Sequence, residues 1–344
     1  MFSSLLNKLG AFKGSDIAID LGTANTLIWV KNEGIVLNEP SVIAKDTVSD
    51  NVMAVGIEAK KMLGRHPSGI IVERPLKDGV ISDLDLATEM LQTFIKKINI
   101  GSFSRPRIVI CIPSSCSSLE QRAVKEAAEN SGAKEVYLIT EPMAAAIGLG
   151  VDVSSSTGHM IVDIGGGTTE IAVIALGGIV CDKSIRVAGD EFTSDIEEYM
   201  RRQHNILVGE RTAERIKIAV GAAIPELDDP PGDMAVHGRD LMTGIPKEIE
   251  VSYTEIAHCL DKSISKIEAA ILSALEMTPP ELSADIYRTG IYLAGGGSML
   301  RGLDKRISLK TKLPVHVADD PLKAVARGTG IALKNFDRFP FLIK

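Results

Sequence analysis

Two short stretches of this sequence carry the same chemical device. Ile17-Ala18-Ile19-Asp20-Leu21-Gly22-Thr23-Ala24-Asn25 and Met160-Ile161-Val162-Asp163-Ile164-Gly165-Gly166-Gly167-Thr168 each run through an apolar triplet, an aspartate, one apolar residue, a glycine and small or polar residues. A second apolar run follows both. The two aspartates lie 143 residues apart, on the scale of one domain. Glycine and small residues let backbone N–H groups approach an anion closely and form a concave nest. Threonine hydroxyls and the Asn25 amide add donors for phosphate oxygens. A carboxylate at the strand end would repel phosphate, so Asp20 and Asp163 make sense as partners of Mg2+, met through its water shell. Two such turns facing each other would clamp a polyphosphate from both sides. One copy alone would read as an ordinary tight turn, because Asp and Gly are common turn residues. The matched pair reverses that reading.

Other residues could join this chemistry. Gly295-Gly296-Gly297 follows an apolar strand and precedes a helix, a third loop suited to close approach by a ligand. Gly328-x-Gly330 is a weaker signal that helix packing would also explain. Glu141 precedes Pro142, whose fixed φ pins the start of a helix and the direction of the carboxylate; the helix macrodipole alone would also favour an acid there. Glu214 and Lys217 are spaced to share one helix face, where a bare pair would be a surface ion bridge. No GxxxxGK[ST] occurs, which excludes a P-loop nucleotide site.

The elements that must position these residues alternate between strand and helix, which places the chain in the α/β class. Residues 15–20 and 26–31 read as a hairpin, and 32–80 as a small irregular insertion. A helical pattern spans 84–98, and residues 107–112 read as a buried strand. Ser118-x-x-Gln121 reads as a capping box opening a helix to Asn130. A strand at 136–139 leads into a helix at 143–149. Residues 154–158 read as a linker, and a second hairpin starts at Met160. Helices follow at about 190–203 and 212–222, then a solvated acidic loop at 228–233. A long helix runs over about 253–276 until Thr278-Pro279-Pro280 stops it. Strands at 290–294 and 314–317 and a last helix from Pro321 complete the pattern.

Composition removes several classes of function. The chain has 344 residues, more than one core usually serves, so two lobes are expected. Lys and Arg number 38 against 45 Asp and Glu, a net charge of −7, which argues against a nucleic-acid partner. Fourteen aromatic residues are too few for a single-strand stacking platform. Cys111, Cys116, Cys181 and Cys259 form no CxxC pair, and the six histidines form no HExxH. Zinc and a disulfide framework fall away; packed free thiols in a reducing cytoplasm fit. No apolar run is long enough to span a bilayer. In the first thirteen residues, Phe2, Leu5, Leu6, Leu9 and Phe12 recur at roughly helical spacing. An interfacial helix on anionic lipid and a terminal helix packed on its own domain both fit that spacing.

The two aspartate turns, Ile112-Pro113, Leu293-Ala294-Gly295-Gly296-Gly297 and Ala326-Arg327-Gly328 resemble the actin, sugar kinase and DnaK-chaperone superfamily. More narrowly, DLGTANTLIWV, LNEPSV, EPMAAAIG, DIGGGTTE, TAERIK and PPELSADI resemble the MreB family of bacterial actins, over about residues 16–333. The resemblance implies an actin-like ATPase fold: two duplicated ribonuclease-H-like lobes flanking a nucleotide cleft. Lobe I would take residues 1–150 and 318–344, with a small insertion at about 32–80. Lobe II would take 151–317, with an insertion at about 185–250.

The resemblance also implies roles. Gly22, Thr23, Ala24 and Asn25 would form one phosphate loop, and Gly165, Gly166, Gly167 and Thr168 the other. Asp20 and Asp163 would face the metal. Glu141 would orient the attacking water, with Thr168 and Asp163 completing the catalytic group. Glu214 and Lys217 would surround the ribose and base, with Gly295, Gly296 and Gly297 closing the base side. The cofactors would be ATP, with GTP as the open alternative, and Mg2+. Nothing resembles an arginine finger, so hydrolysis would be slow, as suits a timer. A sugar kinase would need a further carboxylate motif, and a DnaK-like chaperone would continue past Lys344 into a substrate domain; either remains the alternative. The family reading implies self-assembly into paired protofilaments that organise wall synthesis and rod shape at the inner face of the cell membrane. Partners would include lipid and proteins of the MreC, MreD and RodZ type. It also implies that Phe2, Leu5, Leu6, Leu9 and Phe12, with Ile100 and Phe103, insert into lipid. Two stretches depart from the family pattern: the turn at Ser114–Ser118, and the unusually apolar tail from Phe336 to Lys344.

Overall fold

A computed structural model describes residues 16–98 and 105–344. The chain divides into two compact units, Met1–Gly150 with Val325–Lys344, and Val151–Ala324.

The first unit opens with the antiparallel hairpin β1 (Ile17–Leu21) and β2 (Asn25–Val30), followed by β3 (Gly34–Pro40). These residues were expected in an irregular insertion. Instead β3 is the edge strand of the main sheet, and its mixed polar pattern reflects one solvated side. β4 (Ile43–Asp46), β5 (Val52–Val55), the short helix α1 (Ile57–Met62) and β6 (Ile70–Glu73) build a regular three-stranded satellite with its own core of Val42, Ala44, Ala59 and Val72. A small hairpin, β7 (Leu76–Lys77) and β8 (Val80–Ile81), precedes helix α2 (Leu84–Lys97), which Asp83 caps through the Leu86 N–H at 2.9 Å. Then come β9 (Arg107–Ile112), α3 (Ser118–Asn130), β10 (Glu135–Thr140) and α4 (Glu141–Leu149). The capping box of α3 is Ser117 with Glu120, one residue earlier than the Ser118–Gln121 pair expected. Two overlapping signatures compete there, and the carboxylate accepts the Ser117 N–H, a stronger bond than an amide would make.

The second unit repeats the plan. β11 (His159–Ile164), β12 (Thr169–Ala175) and β13 (Gly178–Ile185) form an antiparallel meander. Helix α5 (Gly189–His204), strand β14 (Ile206–Leu207), helix α6 (Glu210–Val220) and strands β15 (Met234–Asp240) and β16 (Pro246–Val251) follow, the last three strands forming a small sheet. Helix α7 (Tyr253–Met277) starts at a Ser252–Glu255 capping box and buries a stripe of Ile256, Leu260, Ile264, Ile267, Ile271 and Ala274. α8 (Pro280–Thr289), β17 (Ile291–Ala294), α9 (Leu303–Thr311) and β18 (Val315–Val317) complete it. β18 pairs with β17, and the Pro321 carbonyl accepts from the Gly295 N–H at 3.1 Å, so the return to the first unit falls at Val325.

The strand orders show the duplication. The first sheet runs β10-β9-β1-β2-β3 and the second β18-β17-β11-β12-β13, with the first three strands of each antiparallel and the other two parallel to the leading strand. β1 and β11, the strands that carry Asp20 and Asp163, are central in both. Each unit has its own core, around Ile17, Ile19, Phe94 and Ile110 in the first and Val162, Phe192, Ile216 and Ile264 in the second.

Helix α10 (Ala324–Lys334) settles the weaker glycine signal. A Cβ at Gly328 would fall 1.7 Å from the Ala144 carbonyl oxygen, and one at Gly330 2.4 Å from the Trp29 ring, so these glycines serve packing against α4 and β2. The apolar tail lies on the outer edge of β10: Leu138 and Ile343 exchange backbone hydrogen bonds of 2.8 and 2.9 Å, and Phe336 meets Tyr137 edge-on at 4.5 Å. The four cysteines are free thiols. Among the described residues, no helix is long and apolar enough to cross a membrane.

Candidate functional site

In the first unit, Asp20 lies near the end of β1, Gly22, Thr23 and Ala24 form the turn, and Asn25 opens β2. Ser41 pins this turn from behind: its hydroxyl donates to the Gly22 carbonyl at 2.6 Å and its N–H to the Ala24 carbonyl at 3.0 Å. In a trans peptide the N–H points opposite the C=O, so the amides of Thr23 and Asn25 are turned the other way. The Thr23 oxygen accepts the Gly79 N–H at 3.0 Å, which leaves its own O–H as a donor for a ligand.

Glu141 is the first residue of α4, which follows β10, and Pro142 occupies the first turn as expected. Parallel pairing in the order β10-β9-β1 brings three strand ends together, with Asp20 in register with Cys111 and Cys111 with Ile139. The Cys111 thiol donates to Asp20 Oδ1 at 3.2 Å. Burial, together with the charges of Asp20 and Glu141, holds that thiol protonated, far above its usual range. Burial also pushes the Asp20 carboxyl up to about 6, against a smaller lowering by the thiol hydrogen bond. The structure therefore gathers Asp20 and Glu141 around a shared buried thiol.

The second unit gathers more. Gly165, Gly166, Gly167 and Thr168 form the turn between β11 and β12, and Asp163 and Thr168 are both buried. The N-terminus of α5 pins this turn, with the Gly189 N–H on the Gly165 carbonyl at 3.1 Å and the Asp190 N–H on the Gly166 carbonyl at 2.8 Å. Those carbonyls face the helix, so the N–H groups of Gly166 and Gly167 face away from it. The device is the one Ser41 provides in the first unit, built from a helix end instead of a serine. Lys217 reaches from α6 to the same helix end, donating to the Gly189 carbonyl at 2.7 Å and the Thr193 hydroxyl at 2.9 Å. Glu214 stands one turn earlier on α6. Gly295 leaves β17 beside Asp163, and a Cβ there would meet Asp163 Oδ1 at 2.4 Å and the Ile164 carbonyl at 2.3 Å. Gly296 and Gly297 enter a short 3-10 turn, the first against Leu322 and the second against Ile164.

Gly79, Ser41, Cys111, Gly189 and Thr193 belong to this machinery and were not singled out by their spacing. The signal for Ser41 was inside the LNEPSV motif, and that for Gly189 was its place at a helix start among small residues. The lipid-facing candidates Phe2, Leu5, Leu6, Leu9, Phe12, Ile100 and Phe103 lie outside the described residues.

The residues fit a magnesium ion. Among the described residues no group of three or more His, Cys, Asp or Glu side chains could hold a metal by itself. Mg2+ asks for less: it keeps several waters and takes one or two carboxylates with substrate phosphates. Asp20 in the first unit and Asp163 in the second each offer such hard oxygens within their own unit, and glycine at 295 keeps the space beside the Asp163 carboxylate open. A cation near Asp20 would also restore the charged form that burial disfavours.

The profile of the MreB/Mbl protein family matches residues 14–340. The chain is 51% identical to the cell shape-determining protein Mbl of Bacillus subtilis over 94% of this chain and 97% of that protein. It is 49% identical to the cell shape-determining protein MreB of Escherichia coli, over 97% of each. MreB5 of Spiroplasma citri bound to AMPPNP superposes with a TM-score of 0.89 at 38% identity, covering 94% of this chain and 97% of that one; its ADP-bound form gives 0.90. The duplicated sheets, the paired acidic turns and these matches together place the chain in the MreB/Mbl family, as an actin-like cytoskeletal protein.

Proposed function

We propose that this chain binds one magnesium–adenine nucleotide through both acidic hairpins, hydrolyses ATP slowly, and uses the nucleotide's state to govern its own assembly into filaments. The observation that carries the reading is the repeated arrangement of pinned carbonyls and outward amides, one copy in each unit, next to the half-buried Asp20 in the first and the buried Asp163 in the second. AMPPNP and ADP in the S. citri relative support an adenine nucleotide as the ligand.

The roles follow from the chemistry of phosphoryl transfer, which needs positioning and charge neutralisation more than covalent participation. Bound Mg2+ would neutralise the phosphate charge. Backbone N–H groups of Thr23, Asn25, Gly166 and Gly167 bind phosphate oxygens, with the Thr23 hydroxyl as a further donor. Asp20 and Asp163 meet the metal's waters. Glu141, fixed by Pro142, orients the attacking water, and Thr168 holds water and phosphate together. Lys217, anchored to α5, and Glu214 face the ribose and base, and Gly296 and Gly297 leave room for the base.

Head-to-tail contacts between identical subunits give open filaments wherever the rotation between them does not close, and that is the assembly expected here. The family supports paired protofilaments at the inner face of the cell membrane, working with MreC-, MreD- and RodZ-type proteins on wall synthesis and rod shape. Residues 2–12, with Ile100 and Phe103, would supply the lipid contact. Electron microscopy of the purified chain with ATP, Mg2+ and anionic liposomes tests this. Filaments should form only with nucleotide, and should coat liposomes only when residues 2–12 are present. Persistent monodispersity at high concentration would remove the filament and return the kinase or chaperone alternative.

A further inference from the structure

Cys111 is a buried thiol for which the proposed reaction supplies no task. It sits one residue before the end of β9, 3% exposed, with Asp20 in register on one side and Ile139 on the other. Ile139 is itself buried, so the thiol is wedged between an apolar wall and a carboxylate. Its S–H points at Asp20 Oδ1, 3.2 Å away. The terminal torsion of an aspartate is broad and roughly two-fold when nothing holds it. A donor on one oxygen narrows that torsion and fixes where the other oxygen lies. Removing a group that holds a metal-side ligand from behind commonly costs about tenfold or more in affinity for the metal. A thiol suits the place sterically and chemically, since a lysine or arginine there would compete with a cation for the same carboxylate.

We propose that Cys111 is a positioning residue for Asp20, its S–H holding Oδ1 so that Oδ2 meets the water shell of the magnesium–nucleotide. The inference rests on the nucleotide reading above and deepens it. A purely structural role predicts something different: any side chain of the right volume would serve, and the metal would not notice the change.

The test is binding of a fluorescent, non-hydrolysable ATP analogue to the full chain across a series of Mg2+ concentrations. Parent, Cys111→Ala, Cys111→Val and Cys111→Ser are compared; valine keeps the volume without the donor, and serine keeps the donor. The Mg2+ concentration for half-maximal tight binding should rise about tenfold in the alanine and valine variants. Serine should return it to within about twofold of the parent. Affinity measured in EDTA should be the same for all four. A valine variant with the parent's Mg2+ dependence would overturn the proposal, and so would a serine variant shifted as far as valine. Parent protein that bound no nucleotide at all would overturn the nucleotide reading, and this inference with it.

Discussion

Alanine at Gly295 tests the point where backbone conformation and ligand chemistry meet. Gly295 has φ +78°, and a Cβ there falls 2.3 Å from the Ile164 carbonyl oxygen and 2.4 Å from Asp163 Oδ1. With ψ 161° that φ falls in a region used almost only by glycine, which costs a residue with a Cβ ~1–3 kcal/mol. The overlap adds about 1–3 kcal/mol, the usual cost of forcing an extra carbon into a packed site. The sum, about 2–6 kcal/mol, should lower the melting of the second unit by roughly 4–24 °C. Ile164 is locked in β11, so the Asp163 carboxylate has to give way, and Mg2+-dependent nucleotide binding should fall beyond what lost stability explains. Gly132→Ala is the control. Its φ of +98° also disfavours a Cβ, but nothing lies within 4 Å of that Cβ. Calorimetry without ligand, then AMPPNP binding at a temperature where both variants are folded, separates the two terms. If Gly295→Ala melts no lower than Gly132→Ala and binds as the parent does, the close approach of β17 to Asp163 has no functional weight.

Two further outcomes are expected. Glu141→Ala and Thr168→Ala should each slow phosphate release about a hundredfold while leaving ATP affinity within a few fold, read by single-turnover hydrolysis and nucleotide titration; normal release by both would clear them of a catalytic role. Asp20→Asn should make the nucleotide-free protein more stable at neutral pH. Its carboxyl is raised from 3.8 to about 6 in the fold, so the folded state holds that proton more tightly and the parent loses stability as pH rises from about 4 to 6. The full cost is at most ~3 kcal/mol, less for the edge that solvent still reaches. The gain in the asparagine variant should therefore vanish below pH 4, and a gain independent of pH would contradict the burial argument.

The duplicated hairpins were legible because their chemistry is local. An aspartate, a glycine and small residues at fixed spacing leave few other uses, and the two strand orders repeat just as the motifs do. The long α7 was equally plain, since its apolar stripe and its Thr278-Pro279 stop lie within one stretch of chain. What escaped depends on distant partners. β3 reads as loop because an edge strand with Glu39 and Pro40 carries little of the apolar signal. Ser41, Gly189 and Cys111 act on turns 19, 24 and 91 residues away, distances at which no local spacing speaks. The α3 cap slipped by one residue because two overlapping signatures differ only in whether an acid or an amide completes them. The apolar tail likewise depends on a distant partner, Ile343 pairing with Leu138 on the edge of β10.

Whether two acidic hairpins serve a single nucleotide is decided by calorimetric titration of AMPPNP with Mg2+ into the parent, Asp20→Asn and Asp163→Asn. One nucleotide should bind per chain, and either substitution alone should abolish the Mg2+-dependent affinity. Two nucleotides per chain, or a variant that binds as the parent does, would contradict a shared site.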